Sequence, residues 1–374
     1  MPNTPSTFCP AKWDELNINL NYNYVYACCK STPVKFVKNI SEVLQPQKEN
    51  LLKGIQDSSC SFCWKNENLG LPSLRLSHLA KFDSTVFPRY VEDTVLPKSI
   101  EINLGNECNF QCTYCSPKFS SKWESDIRNK PYNFTTDNSM YEIVQKESDN
   151  VHNTIEWLSK QNGVESLIII GGEPLLNKNL FKILDNTHFD NIAIVTNLSC
   201  DTKTLDKVFA RASNFKKMFL NISLDSTGGN AELSRYGLCY ETITHNISYA
   251  LAHAPDNVEC KILSLMTSIT IRDIKKFAEY IQCLHEQKNT LTWELHVCRY
   301  PQIQSMATLP DPLKPLILET LATLVDKEYV SHANIVESVV KNTSFDLSLY
   351  NELSRFLEEF CARHNIDITT VLTE

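Results

Sequence analysis

Between residues 99 and 300, short apolar runs alternate with longer segments of helical periodicity. The strand-sized runs are Ile100–Leu104, Ser166–Ile170, Asn191–Thr196, Lys217–Leu224, Val258–Met266 and Leu291–Val297. Helical segments fall near residues 139–161, 177–186, 202–213, 239–253 and 271–285. Several runs, LIIIGG and IAIVTN among them, are apolar without alternation, as expected for strands covered on both faces. Six strands separated by helices predict an α/β fold with parallel pairing through right-handed crossovers. Six strands rather than eight predict a partial (β/α)6 barrel, open on one side; periodicity alone also admits an open sheet.

The flanks read differently. Residues 1–75 predict an irregular, cysteine-rich region with short strands, because LNINLNYNYVYACCK alternates as a hairpin strand does. Residues 76–98, with Pro88 and Pro97, read as a connector. After a proline-rich loop, residues 301–374 read as a helical extension, with helices near 312–326, 330–341 and 346–363.

Composition narrows the classes. The 374 residues carry 36 Lys plus Arg against 44 Asp plus Glu, a net charge of −8. That balance argues against a general nucleic-acid binder, whose affinity rests on neutralising phosphates. No apolar run approaches the roughly 18 residues of a membrane span. The opening MPNTPSTFCPAKW lacks a basic segment followed by an apolar one, which predicts a cytoplasmic protein. Fourteen cysteines in such a chain point to metal or redox chemistry rather than disulfides.

Three of them stand directly after the first run, in Gly105-Asn106-Glu107-Cys108-Asn109-Phe110-Gln111-Cys112-Thr113-Tyr114-Cys115. Three thiolates at Cys-x3-Cys-x2-Cys spacing can hold three corners of a cubane [4Fe–4S] cluster. The fourth iron then has no protein ligand, and an open metal position suits catalysis. Downstream, two of only nine glycines are adjacent in Gly171-Gly172-Glu173-Pro174. Scarce glycines belong where the backbone must pass close to something, such as a ligand. The third run ends in Thr196-Asn197. The fourth carries Ser223 and Asp225 two apart, hence on one strand face, where a hydroxyl and a carboxylate suit the two hydroxyls of a ribose.

Together these elements resemble the radical S-adenosylmethionine (radical SAM) superfamily over roughly residues 98–300. The resemblance implies a [4Fe–4S] cluster on Cys108, Cys112 and Cys115 whose open iron chelates S-adenosylmethionine. It implies that the cofactor is held by Gly171, Gly172, Glu173, Thr196, Asn197, Ser223, Asp225 and, near its carboxylate, Arg235. An external donor such as flavodoxin or ferredoxin would supply the electron that releases a 5′-deoxyadenosyl radical, which abstracts hydrogen from a peptide or small-molecule substrate. One departure is visible: Ile262–Ile269 lacks a glycine-containing adenine motif.

A second group comprises Cys9, Cys28, Cys29, Cys60 and Cys63. Cys60-x2-Cys63 is a metal knuckle that Cys9 and one of Cys28 or Cys29 would complete. It resembles the auxiliary-cluster elements of the SPASM and twitch subfamilies, although there the cysteines usually follow the barrel. A structural zinc ion is the alternative. At the end of the sixth run, His296, Cys298 and Arg299 are candidates for substrate contact. The competing reading of the whole is a non-catalytic iron–sulfur redox protein, against which the nucleoside-type residues argue.

Overall fold

In the computed structural model, the described residues are 4–35, 40–70, 72–92, 95–132, 141–143, 151–161 and 163–367. Among them are twelve strands: β1 (Glu15–Asn19), β2 (Tyr24–Tyr26), β3 (Val34–Lys35), β4 (Ser99–Asn103), β5 (Gln111–Cys112), β6 (Ser166–Ile170), β7 (Asn191–Thr196), β8 (Lys217–Ser223), β9 (Arg235–Tyr236), β10 (Val258–Met266), β11 (Thr292–Val297) and β12 (Val330–Ser331). Ten form one sheet in the order β12-β11-β10-β8-β7-β6-β4-β1-β2-β3, and β5 pairs with β9. The six expected strands are present and parallel. The order is linear, so the sheet is open.

Register explains the core. One apolar row runs Leu16, Ile100, Leu167, Ile192, Met218, Val258 across six strands. A second runs Ile18, Ile102, Ile169, Ile194, Leu220, Cys260. All twelve side chains are buried. At roughly 1.5–3 kcal/mol for each large aliphatic side chain removed from water, these rows dominate the sheet's stability. The strands are not buried on both faces, as their unbroken apolarity predicts. Burial alternates along β6, β7, β8 and β10. The half-buried set, including Ile170, Val195, Ser223, Leu263 and Leu265, lines a cavity instead.

The sheet also crosses both expected boundaries. β1, in the cysteine-rich region, pairs parallel with β4 as well as antiparallel with β2. β12, in the C-terminal extension, pairs with β11. The first 75 residues are less irregular than expected, with helices at Ile40–Leu52 and Ser61–Asn68. The connector likewise holds Leu74–Ala80 and Phe87–Val91. Of the helix expected near 139–161, Val151–Ser159 is seen, while 139–140 and 144–150 lie outside the described residues. The C-terminal helices form at Lys314–Val325, Ala333–Asn342 and Leu347–His364. The last packs Phe356 and Phe360 onto Trp123, in the helix Ser121–Asn129 that follows the cysteine loop. No described helix is long and apolar enough to cross a membrane.

Candidate active site

β4 ends at Asn103, whose side chain caps Gly105 N–H at 3.0 Å and turns the chain into the cysteine loop. The loop is fastened at both ends. Ser120 Oγ donates to Phe110 O at 2.6 Å, and Trp123 Nε1 donates to Cys112 O at 2.8 Å. The β5–β9 pairing brings Cys112 opposite Arg235. Cys108, Cys112 and Cys115 thereby line one cavity of about 290 Å3 with Gly171, Gly172, Thr196, Asn197, Ser223, Arg235 and His296. This cavity lies at the carboxyl ends of the parallel strands, where open α/β sheets bind ligands.

The glycine pair has a reason that differs from the expected one. A Cβ on Gly172 would stand 2.3 Å from Glu107 O, and one on Gly171 3.0 Å from Gly105 O. Gly172 N–H donates to Gly105 O at 2.9 Å, and Glu173 N–H donates to Glu107 O at 2.7 Å. The close approach is therefore to the cysteine loop's own backbone, which the glycines let settle onto the end of β6.

Glu173 is 2% exposed. Its carboxylate accepts from Leu175 N–H at 2.9 Å, Thr196 Oγ1 at 2.7 Å and Asn197 N–H at 2.6 Å. Burial raises its pKa to about 7 despite these donors. Asn197 Nδ2 donates to Asn109 Oδ1 at 3.0 Å, and Asn109 Nδ2 donates to Ser199 Oγ at 2.8 Å. This tie between the cysteine loop and β7 is invisible in sequence, because its partners are some 90 residues apart.

Asp225 lies just beyond the end of its strand. β8 stops at Ser223, so the face rule ends there. Ser223 lines the cavity. The Asp225 carboxylate instead turns inward and is fully buried. It accepts from Arg235 Nε at 2.8 Å, Arg235 Nη2 at 3.0 Å, Tyr114 Oη at 2.5 Å and Leu265 N–H at 2.8 Å. Its acceptor capacity is met by protein donors, and Arg235 spends two donors on it. The pair braces the wall of the cavity that Arg235 lines.

Burial raises the thiol pKa of Cys108, Cys112 and Cys115, the last to about 12, with the Arg235 guanidinium opposing it in each case. Buried thiols of this kind ionise when a metal binds them. Three sulfurs around one cavity, beside a guanidinium, are a donor set that fits an iron–sulfur cluster with one open corner.

In the N-terminal region, Cys9, Cys28, Cys60 and Cys63 are all buried, while Cys29 is exposed. Burial, and after it the nearby Cys28, Cys60 and Cys63, opposes the ionisation of Cys9. Cys29 instead feels Cys28, Glu15 and Glu101. The structure gathers four of the five and sets Cys29 apart. Lys12, 1% exposed, donates to Gln47 Oε1 at 2.8 Å and Ser59 Oγ at 3.0 Å, and its charge favours the thiolates of Cys28 and Cys60. A buried ammonium beside four thiols fits an anionic tetrathiolate centre. Among the described residues, no three cysteine sulfurs lie within 4.8 Å of one another. Four thiolates on one zinc ion would stand about 3.8 Å apart.

His296 is half-exposed at the cavity rim. Cys298 is buried, with burial raising its pKa to about 12, and its Sγ lies 3.5 Å from Tyr300 O. Arg299 is exposed.

Residues 102–281 match the family model of the Radical SAM superfamily. GTP 3′,8-cyclase of Staphylococcus epidermidis is 27% identical over 164 residues, 41% of this chain and 42% of the relative. The enzyme of that name from Helicobacter pylori strain HPAG1 is 31% identical over 130 residues, 34% of each chain. A probable GTP 3′,8-cyclase of Methanocaldococcus jannaschii is 24% identical over 185 residues, 49% of this chain and 54% of the relative. The chain thus spans about half or less of the curated relatives it matches. Among solved structures, Streptococcus suis SuiB bound to precursor peptide SuiA aligns at 14% identity and a TM-score of 0.43, over 90% of this chain and 76% of that one. A likeness at that level says nothing about substrate.

Proposed function

The chain belongs to the radical SAM superfamily, and from that premise we propose that it is an enzyme that cleaves S-adenosylmethionine reductively at the cavity described above. The observation that carries this reading is the convergence of Cys108, Cys112 and Cys115 on one cavity with Gly171, Gly172, Thr196, Asn197 and Ser223. A [4Fe–4S] cluster held by the three cysteines would supply the electron and, with bound S-adenosylmethionine, a radical able to take hydrogen from an unactivated carbon. The protein's share is orientation and exclusion of water. Gly171 and Gly172 keep the cysteine loop against β6. Glu173 fixes Thr196 and the Asn197 backbone from behind the cavity, leaving the half-buried Ser223 hydroxyl as a polar handle for a nucleoside. Asp225, Arg235 and Tyr114 hold β8, β9 and the loop in register. An external electron donor such as flavodoxin or ferredoxin, and a cytoplasmic setting, belong to the same reading.

A second cavity of about 200 Å3 shares Phe119 and Ile170 with the first and is lined by Asn17, Asn19, Tyr26, Cys29, Glu101 and Asn103. Its place beside the cofactor cavity, with Asn17, Asn19, Glu101 and Asn103 set among Ile18, Tyr26, Phe119 and Ile170, supports assigning it to the substrate, a small molecule or peptide segment with both apolar and polar groups. Burial raises the Glu101 pKa.

Cys9, Cys28, Cys60 and Cys63 would hold an auxiliary [4Fe–4S] cluster. Their buried donor set with Lys12 supports an anionic tetrathiolate centre there. With four ligands it has no free iron, which suits electron transfer from a substrate radical. Iron, sulfide and zinc counted per chain after anaerobic reconstitution test both assignments. About eight irons are expected. About four irons with one zinc would move the N-terminal site to a structural role, and no bound iron would overturn the reading.

A further inference from the structure

We propose that Glu294, His296 and His332 form a binding site for one divalent transition cation of the zinc class, on the outer strands of the sheet and with no cysteine among its ligands. Glu294 and His296 are two apart on β11 and so share a face. The β11–β12 register sets Glu294 opposite Ser331, and His332 follows at once. The chain there takes a left-handed turn, with φ of +66° at His332, a conformation a histidine seldom adopts.

The donor atoms converge. His296 Nε2 lies 3.1 Å and His332 Nδ1 3.8 Å from the same oxygen, Glu294 Oε1. One ligand atom from each residue falls within 4.8 Å of the other two, and among the described residues this is the group of histidine, cysteine and acidic side chains that does so. Nitrogen and oxygen ligands on one tetrahedral ion, with bonds of 2.0–2.1 Å, stand about 3.3 Å apart. The two observed separations bracket that value. Lys261 Nζ sits 3.0 Å from Glu294 Oε2. It orients the carboxylate as an outer partner orients a ligand, and leaves Oε1 for the imidazoles. Two imidazoles and one carboxylate suit Zn2+, Co2+ or Ni2+ over Mg2+ or Ca2+. Three protein ligands leave a coordination position open. Because His296 also lines the cofactor cavity, the cation would stand at its rim.

The test is zinc titration of anaerobically reconstituted protein, whose cysteine sites are filled and whose iron content is counted. Wild type should bind one added equivalent of Zn2+. Glu294→Gln should weaken binding at least tenfold. His332→Gly, which removes the imidazole while easing the left-handed backbone, should do the same. Both variants should keep wild-type iron content and far-ultraviolet dichroism, which separates loss of this site from misfolding or cluster loss. Absence of an added equivalent in wild type, or wild-type affinity in both variants, would overturn the proposal. Neither result bears on the cysteines.

Discussion

The carbonyl oxygen of Glu107 occupies the space that a side chain on residue 172 would need, 2.3 Å from the Cβ position of Gly172. The obstacle is backbone on both sides, so no rotamer change relieves it. Gly172→Ala must lift the loop that carries Cys108, at a cost of about 1–3 kcal/mol typical of overpacking. At Gly228, by contrast, a Cβ meets nothing within 4 Å. Gly172→Ala should therefore lose about half of the bound iron on desalting, whereas Gly228→Ala should lose none, as read by iron analysis.

Asp225 and Arg235 form a buried bidentate pair, with the carboxylate fully buried. Removing one partner of such a pair strands a charge, at about 3–5 kcal/mol. Arg235→Ala should reduce unfolding free energy by that amount in denaturant titration. Asp225→Asn with Arg235→Met, which strands no charge, should cost less than Arg235→Ala alone.

The N-terminal cysteines separate cleanly. Cys28 is buried in one cluster with Cys9 and Cys60, while Cys29 is exposed. Cys28→Ser should lower iron by about four atoms per chain, the content of one cubane. Cys29→Ser should leave the count unchanged.

His78 links the helix Leu74–Ala80 to β1 through Glu15 Oε1, at 3.2 Å from Nε2. The hydrogen bond to Glu15 raises its pKa above 6.5. The folded state therefore holds this proton more tightly than the unfolded state does. The added stability is full below pH 6.5 and fades as pH rises through the folded value. Both groups are partly exposed, so the effect is a fraction of a kcal/mol. Wild type should lose stability relative to His78→Gln between pH 6.5 and 8.5 in paired denaturant titrations.

The sheet strands were legible as short runs rich in apolar residues between helix-length segments, four of them followed by glycine, asparagine or aspartate at Gly105, Gly171, Asn197 and Asp225. β1 was legible as a hairpin strand, but not as a neighbour of β4, because its partner lies more than 80 residues away. β12 is two residues long and carries no periodic signal. In the candidate site, spacing and scarcity singled out Cys108, Cys112, Cys115, Gly171 and Gly172, which the fold brings to one cavity. Asp225 was read from the alternation of a strand that ends two residues earlier. Its partners Tyr114 and Leu265 stand 111 and 40 residues away, and alternation says nothing about either. The convergence of His332 on Glu294 depends on that same short β12.

The central claim is that Cys108, Cys112 and Cys115 serve reductive cleavage of S-adenosylmethionine. Its most direct test is 5′-deoxyadenosine formation by anaerobically reconstituted protein with a strong reductant, beside the Cys108/Cys112/Cys115→Ala variant. The account predicts reductant-dependent nucleoside from wild type and none from the variant, which should retain about four irons at the N-terminal site. Wild type with a full iron complement and no nucleoside product would contradict it.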